Sequence, residues 1–166
     1  MKFQLDPILL EAAARLGWAP RETGNPDEMA LGDYAHGYLL LQRPEYIQLA
    51  RRSERGEPSL KLWGPELNDL QKYLAFNTAR LIRSVEKPGD DIVLPIDPAT
   101  ISAPFRLEHD ESRNVFLLWN VDGIDHWLGF GRGNEFIATQ YSHYAARDIA
   151  NIVTDALAPT PSFPRK

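Results

Sequence analysis

LKLWGP, residues 60–65, joins a strand pattern directly to a helix pattern. The first four residues alternate as in a half-buried strand, with Leu60 and Leu62 on one face. The proline favours the first turn of a helix. The apolar side of that helix is formed by leucines at helical spacing, Leu67, Leu70, Leu74 and Leu81. We expect this helix to pack on a sheet that contains the preceding strand.

Further strands are predicted upstream, at residues 29–31, 38–42 and 46–52. The turn residues 53–58 connect the last of them to the strand at 60–63 as a hairpin. A short amphipathic helix is expected between Asp6 and Gly17, because Asp6 can cap it and Gly17 suits a left-handed exit. Residues 18–27 are interpreted as a turn-rich connection.

Four more strands are predicted downstream, at residues 105–109, 115–119, 127–130 and 136–139. Ser142 is expected to cap a final helix. The apolar face of that helix is predicted to carry Ala145, Ile149, Ile152, Val153 and Ala156. Runs of strands followed by a helix are typical of the α+β class, so we predict an antiparallel sheet, or a pair of sheets, with helices on the outer faces.

The expected organisation is a single domain, residues 1–166, with halves at about 1–87 and 92–158 and a loose tail at 159–166. Each half has strands first and a helix at its end. One offset along the chain aligns Arg55-Gly56 with Arg132-Gly133, and the same offset aligns Leu40 with Leu117. Two duplicated strand-strand-strand-helix halves are therefore a hypothesis.

Composition and charge argue against several classes of protein. The 166 residues include no cysteine, which excludes disulfides and thiolate metal sites and suits a reducing compartment. The formal net charge of −5 argues against nucleic acid as a partner, because phosphates select basic surfaces. Apolar runs such as residues 115–119 are far shorter than a membrane span, and Asp6-Pro7 interrupts any apolar export signal. We expect a cytoplasmic protein with no membrane partner and no cofactor.

The histidines are the first candidates for a chemical site. Residues 109–111 (HDE) form one predicted turn, and Asp122, Asp125 and His126 lie around the next. A meander would bring these turns to one edge, where they could hold a divalent metal or supply a general base. Adjacent acids in hairpin turns are more often solvated turn formers, so no metal site is assigned. A small enzyme or ligand-binding domain using His109, Asp122, Asp125 and His126 remains the alternative function.

Three other patterns have ordinary structural explanations. Residues 129–134 (GFGRGN) are glycine-rich but precede a strand pattern, so a turn is expected there instead of a phosphate-binding loop. The basic cluster of Arg51-Arg52 with Arg55 has two interpretations. It suits recognition of a carboxylate or phosphate, and it also suits an exposed strand edge whose charges prevent pairing with another chain. Tryptophans next to apolar segments indicate core packing, and any exposed one would be a candidate interface anchor. These tryptophans are Trp18, Trp63, Trp119 and Trp127.

Most of the chain carries a pattern that matches one group of bacterial proteins. In the first half this pattern lies in residues 51–58, in Trp63-Gly64-Pro65 and in Tyr73-Leu74. In the second half it lies in residues 116–119, 126–130 and 141–144 and in Asp148-Ile149. With these stretches the chain resembles the bacterial immunity proteins grouped with the antitoxin of the TNT toxin.

The resemblance implies an α+β protein that stays in the producing cell's cytoplasm, binds a secreted toxin one to one and occludes its active site. For TNT-type toxins that activity is hydrolysis of NAD, and the resemblance carries over no catalytic residue. Toxin contacts are predicted on physical grounds at three turns, because small residues and free backbone groups suit insertion into a pocket. The turns contain Gly131, Arg132, Gly133 and Asn134; Asp122 and Gly123; and His109, Asp110 and Glu111.

Overall fold

A computed structural model describes residues 2–164. Four helices are present in this range: α1 Pro7–Ala14, α2 Leu67–Glu86, α3 Glu135–Ser142 and α4 Ile149–Leu157. The strands of the first half are β1 Ala19–Glu22, β2 Glu28–Gly32, β3 Gly37–Gln42, β4 Ile47–Arg52 and β5 Ser59–Gly64. Those of the second half are β6 Arg106–His109, β7 Asn114–Val121 and β8 Ile124–Arg132.

The eight strands form one antiparallel sheet in the order β1-β2-β3-β4-β5-β8-β7-β6. The predicted α+β class with an antiparallel sheet is therefore confirmed. The halves contribute five strands and three strands. Leu40 and Leu117, which the internal offset aligns, are both fully buried on strands, whereas the offset places β5 on α3. The duplication stays a hypothesis.

Alternation along the strands divides the sheet into a covered face and an open face. Side chains on the covered face are buried, among them Leu40, Leu49, Leu62, Leu117 and Leu128. Their neighbours along the strands point to the other side, and most of these are only partly buried. Within residues 2–164 all four helices belong to the covered side, where they share one apolar core with the sheet.

The helices are fixed to the covered face by aromatic contacts. Tyr73 of α2 meets Tyr38 of β3 edge to face at 6.3 Å between ring centroids. Tyr141 of α3 lies 5.9 Å from Trp119 and 6.0 Å from Phe130. The helices α1 and α4 pack against α2. The longest helix is therefore the centre of the helical layer.

Two predicted elements are wrong in the second half. Residues 136–139 form part of α3 and not a strand, because Ala138, Thr139 and Tyr141 are buried on one helical side while Phe136 is exposed. Ser142 ends α3 instead of capping the last helix. The cap of α4 is Asp148, whose Oδ1 accepts a hydrogen bond of 2.8 Å from the main-chain N–H of Asn151.

Two further expectations concern the edges of the domain. The connection predicted at residues 18–27 contains the strand β1, which includes Pro20 and lies at the edge of the sheet, where a missing N–H is tolerated. Part of the predicted loose tail packs on the domain, because Phe163 is buried and meets Phe76 at 5.5 Å. Residues 165 and 166 lie outside the described range.

The two parts of the sheet meet where Trp63 of β5 pairs with Gly129 of β8. The indole of Trp63 lies so close to Gly129 that a Cβ built there would be 2.2 Å from Trp63 Cε2. The next residue, Gly64, approaches Leu128 in the same way, with a built Cβ 2.5 Å from Leu128 Cδ2. The junction therefore depends on two positions that have no side chain.

A buried polar group connects α2 to β8 and α3. Asp69 is 3% exposed, and its Oδ2 lies 2.7 Å from His126 Nδ1. The main-chain oxygen of Asp69 accepts a 2.9 Å hydrogen bond from the hydroxyl of Tyr141. Burial raises the pKa of the Asp69 carboxyl, although the hydrogen bond from His126 acts in the opposite direction.

Replacing Gly129 with Ala should destabilise the junction. The added methyl group has no space beside Trp63, and such overpacking costs about 1–3 kcal/mol in the free energy of unfolding. Urea denaturation of Gly129→Ala alone and in a Trp63→Ala background measures the interaction. The cost should be clearly smaller in the double variant, and an equal cost in both backgrounds would show that the indole is not the cause.

Replacing Asp69 with Asn should change the pH dependence of stability. A raised pKa in the folded state means that the folded protein holds the proton more tightly, so ionisation of Asp69 lowers stability as pH rises above the ordinary value of 3.8. The free energy of unfolding of Asp69→Asn, relative to the unchanged protein, should therefore rise with pH over the acid interval that begins at this value. Denaturation curves across this interval test it, and a falling or flat difference would contradict the assignment.

Candidate functional site

Three aromatic side chains form a continuous cluster on the open face. Trp63 of β5 meets Phe116 of β7 edge to face, with ring centroids 5.9 Å apart. Phe116 in turn lies 6.0 Å from Trp127 of β8. All three side chains are partly exposed to solvent. Partly exposed tryptophan and phenylalanine side chains are typical anchors of protein interfaces.

Aliphatic side chains extend this cluster across the sheet. Leu39 and Leu41 of β3 and Leu118 of β7 lie on the open face and are partly exposed, and Leu60 of β5 is 45% exposed. Apolar surface that stays open in a folded chain commonly marks an interaction site. We call the following set the open-face patch: Trp63, Phe116, Trp127, Leu39, Leu41, Leu60 and Leu118.

Charged side chains border the open-face patch. On the β6 side, Arg106 Nε lies 3.2 Å from Glu108 Oε1, and the two residues pair across the sheet with Leu118 and Phe116. On the opposite side of the patch lie Arg21 and Arg52. An apolar centre with a polar rim is the usual anatomy of a protein interface.

Two of the predicted contact turns lie together at the Asn114 end of β7. His109 Nε2 is 3.1 Å from Glu135 Oε1, which joins the 109–111 turn to the start of α3 just after the 131–134 turn. Gly131 and Gly133 both have a φ of +76°, which only glycine adopts without strain. Arg132 is exposed between them.

The electrostatics of these turns are set by local hydrogen bonds. The side-chain amide of Asn114 donates to Asp110 and holds the pKa of its carboxyl below the ordinary value. The pKa of Glu135 is also lowered, first by its own main-chain N–H and then by His109. Both acids are therefore ionised at neutral pH, and this end of the sheet presents negative charge beside Arg132.

The third predicted turn lies at the opposite end of the same hairpin. Asp122 and Gly123 have φ values of 51° and 83° and form a two-residue turn that joins β7 to β8. Since β7 has eight residues, about 25 Å separates this turn from the other two. The turn is flanked by Val121 and Ile124, whose side chains are exposed. The surface at this end of the hairpin is therefore more apolar than Asp122 and Gly123 alone would make it.

The residues of the alternative enzyme or ligand site are not brought together. His109 lies at one end of the β7–β8 hairpin, whereas Asp122, Asp125 and His126 lie toward the other. Asp125 accepts a 2.8 Å hydrogen bond from Asn120, and His126 is paired with buried Asp69. Among residues 2–164 no group of three acidic or histidine side chains could hold a metal ion.

Only part of the open-face patch could be expected from sequence patterns. Trp18 and Trp119 are buried, as core packing predicts, whereas Trp63 and Trp127 are partly exposed. The stronger signal was the run at residues 115–119, which is apolar on both faces. A strand of that kind normally has both faces covered, and here the described chain covers only one.

No helix in the described part of the chain is long and apolar enough to span a membrane. The family model for Immunity protein 61 matches residues 12–161. The fold is similar to the solved structure of Rv3902c from M. tuberculosis, with a TM-score of 0.75 over 97% of this chain and 94% of that chain. Sequence identity to it is 15%, so this likeness concerns the fold alone.

No curated protein matches the sequence. The family match covers most of the chain and includes the whole sheet and all helices except the start of α1. It confirms the resemblance to bacterial immunity proteins that the sequence indicated. The chain therefore belongs to the Immunity protein 61 family.

Proposed function

We propose that this chain is an immunity protein that binds a cognate toxin one to one through the open-face patch and thereby occludes the toxin's active site. The observation that supports the proposal is the aromatic cluster of Trp63, Phe116 and Trp127, which lies uncovered on one face of the sheet. Membership of an immunity protein family gives the class of partner that covers it.

The size and shape of the surface suit a protein partner. A standard interface buries about 800 Å² on each side, which corresponds to a patch about 30 Å across. The β7–β8 hairpin is of similar length, so one toxin can cover the open-face patch and reach the turns at both ends. A few buried aromatic anchors supply most of the binding energy of such an interface.

The turns supply the second part of the proposed contact surface. The residues Gly131–Asn134 and His109–Glu111 lie at one end of the patch, and Asp122–Gly123 lies at the other with exposed Val121 and Ile124. The two-residue turn is narrow and apolar at its flanks, which suits entry into a cleft. At the opposite end, Gly131 and Gly133 offer main-chain groups to the toxin without side-chain bulk.

The proposed mechanism is occlusion, without catalysis by the immunity protein and without a cofactor. The protein would act in the cytoplasm of the producing cell, where it meets the toxin before secretion. The toxin proposed is one that hydrolyses NAD, on the resemblance to the TNT antitoxin group. Tight binding over a large area is sufficient for such inhibition, because a covered active site excludes its substrate.

Co-expression tests the proposed function directly. The cognate toxin domain, sought among the genes that neighbour this one, is expressed in a bacterial host with and without the chain, and growth and cellular NAD are measured. Growth and NAD should be restored by the chain, and the two purified proteins should form an equimolar complex. Continued killing by the toxin at equal expression of both proteins, with no complex, would contradict the proposal.

Replacing Trp127 with Ala should weaken toxin binding strongly. A central aromatic anchor contributes about 2 kcal/mol or more to an interface, which corresponds to an affinity loss of about thirtyfold or more. Val85→Ala is the matched control, because Val85 is 66% exposed on α2, on the covered side of the sheet. Isothermal titration with the toxin domain measures both variants, and equal affinities would remove Trp127 from the interface.

Replacing Arg132 with Ala tests the glycine-rich turn. A rim side chain at a protein interface contributes about 1 kcal/mol, so the affinity should fall about fivefold. Lys87→Ala, just after α2, is the control and should leave the affinity unchanged. If Arg132→Ala binds the toxin as tightly as the unchanged chain, the turn lies outside the interface.

A further inference from the structure

Two arginines on the open face share one acceptor and have no counterion among the described residues. Arg21 of β1 and Arg52 of β4 each donate through Nη2 to the main-chain oxygen of Asp33. Their Nε–H groups are buried and have no hydrogen-bond partner within residues 2–164. Neither guanidinium is within ion-pair distance of a described carboxylate.

The register of the sheet explains why the two arginines meet. Arg52 pairs with Gly37 on β3, and Gly37 pairs with Gly32 on β2. These glycines approach so closely that a Cβ built on Gly32 would be 2.7 Å from Gly37 Cα. The row of paired residues beside Arg52 therefore has no side chains on β3 and β2, and Arg21 lies in the neighbouring row, opposite Ala30.

The carboxylate of Asp33, whose main-chain oxygen both arginines share, forms no ion pair with either of them. The Oδ1 atom of Asp33 accepts hydrogen bonds from the main-chain N–H groups of Ala35 and His36, at 2.8 and 2.7 Å, within its own turn. Tyr34 in the same turn is 94% exposed, and its ring centroid is 5.7 Å from Arg21 Cζ. The site thus combines two positive charges with an exposed aromatic ring.

We propose that Arg21 and Arg52 bind an acidic side chain, Asp or Glu, on the surface of the toxin. This inference rests on the proposed function, because the pair adjoins the open-face patch through Leu39 and Ala50. Guanidinium groups bind carboxylates through paired hydrogen bonds, and both arginine side chains are partly exposed and have no carboxylate partner within residues 2–164. In a chain of net charge −5 the pair is a local positive site, so it fixes the register of the toxin on the face.

Charge-removing variants test this contact in the complex. Arg21→Gln and Arg52→Gln are titrated with the toxin domain at low and high salt. Each should bind about tenfold more weakly at low salt, and the difference should shrink as salt screens the charge. Arg15→Gln is the matched control, because Arg15 lies at the end of α1 on the helical side, outside the open-face patch, and is paired with Glu86. The control should change the affinity less than about twofold.

The outcomes separate this inference from the proposed function. If both glutamine variants bind normally with the same salt dependence while Trp127→Ala binds weakly, the arginine site is refuted and the open-face interface stands. If the toxin domain does not bind the chain at all, both proposals are refuted. Thermal melting of each variant confirms that the fold is retained before affinities are compared.

A measurement on the chain alone tests the chemistry of the site. The Nε–H resonances of Arg21 and Arg52 are followed by NMR during titration with an acetylated, amidated tetraglutamate peptide. Both resonances should shift, and a tetralysine peptide should leave them unchanged. Absence of a shift with tetraglutamate, or a stronger response to inorganic phosphate at equal concentration, would overturn the assignment to a protein carboxylate.

Discussion

The contact between Trp63 and Gly129 is the constraint on which the rest of the structure depends. It joins the five-stranded part of the sheet to the three-stranded part, and it does so at a position where only glycine leaves room for the indole. Because the side chain of Trp63 points to the open face, the residue that pairs β5 with β8 also begins the aromatic cluster. The sheet junction and the proposed interface therefore share a residue.

The two faces of the sheet differ in whether the rest of the chain covers them. The covered face meets α2 and its neighbours through a continuous apolar core, and Asp69 is stabilised there by His126. The open face keeps Phe116 and Trp127 in contact with solvent. Exposed aromatic surface favours association over remaining free in water, which supports the binding role proposed for this chain.

Much of the fold could be predicted from local patterns, and the failures have physical causes. The helix after Pro65 and the strand around Leu49 follow from spacing, and the strand around Leu40 follows from a short run that is apolar on both faces. Residues 136–139 contain a phenylalanine, an isoleucine and a threonine, which favour a strand, and only tertiary burial of one side makes them helical. The strand β1 was hidden because Pro20 is unusual in strands except at an edge.

The candidate site could be predicted only in part. The sequence located three turns, but it could not show that β7 separates one of them from the other two. A strand that is apolar on both faces looks the same whether helices or another protein cover its second face. The pairing of Arg21 with Arg52 depends on three strand registers and could not be inferred from the cluster Arg51-Arg52 alone.

The most direct test of the account is hydroxyl-radical footprinting of the chain with and without its toxin domain, read by mass spectrometry. Occlusion by the open face predicts that Trp63, Phe116 and Trp127 are labelled in the free protein and protected in the complex. Trp18 and Trp119, which are buried, should be labelled weakly in both. Protection confined to the helical side, with Trp63 and Trp127 labelled as before, would contradict the account.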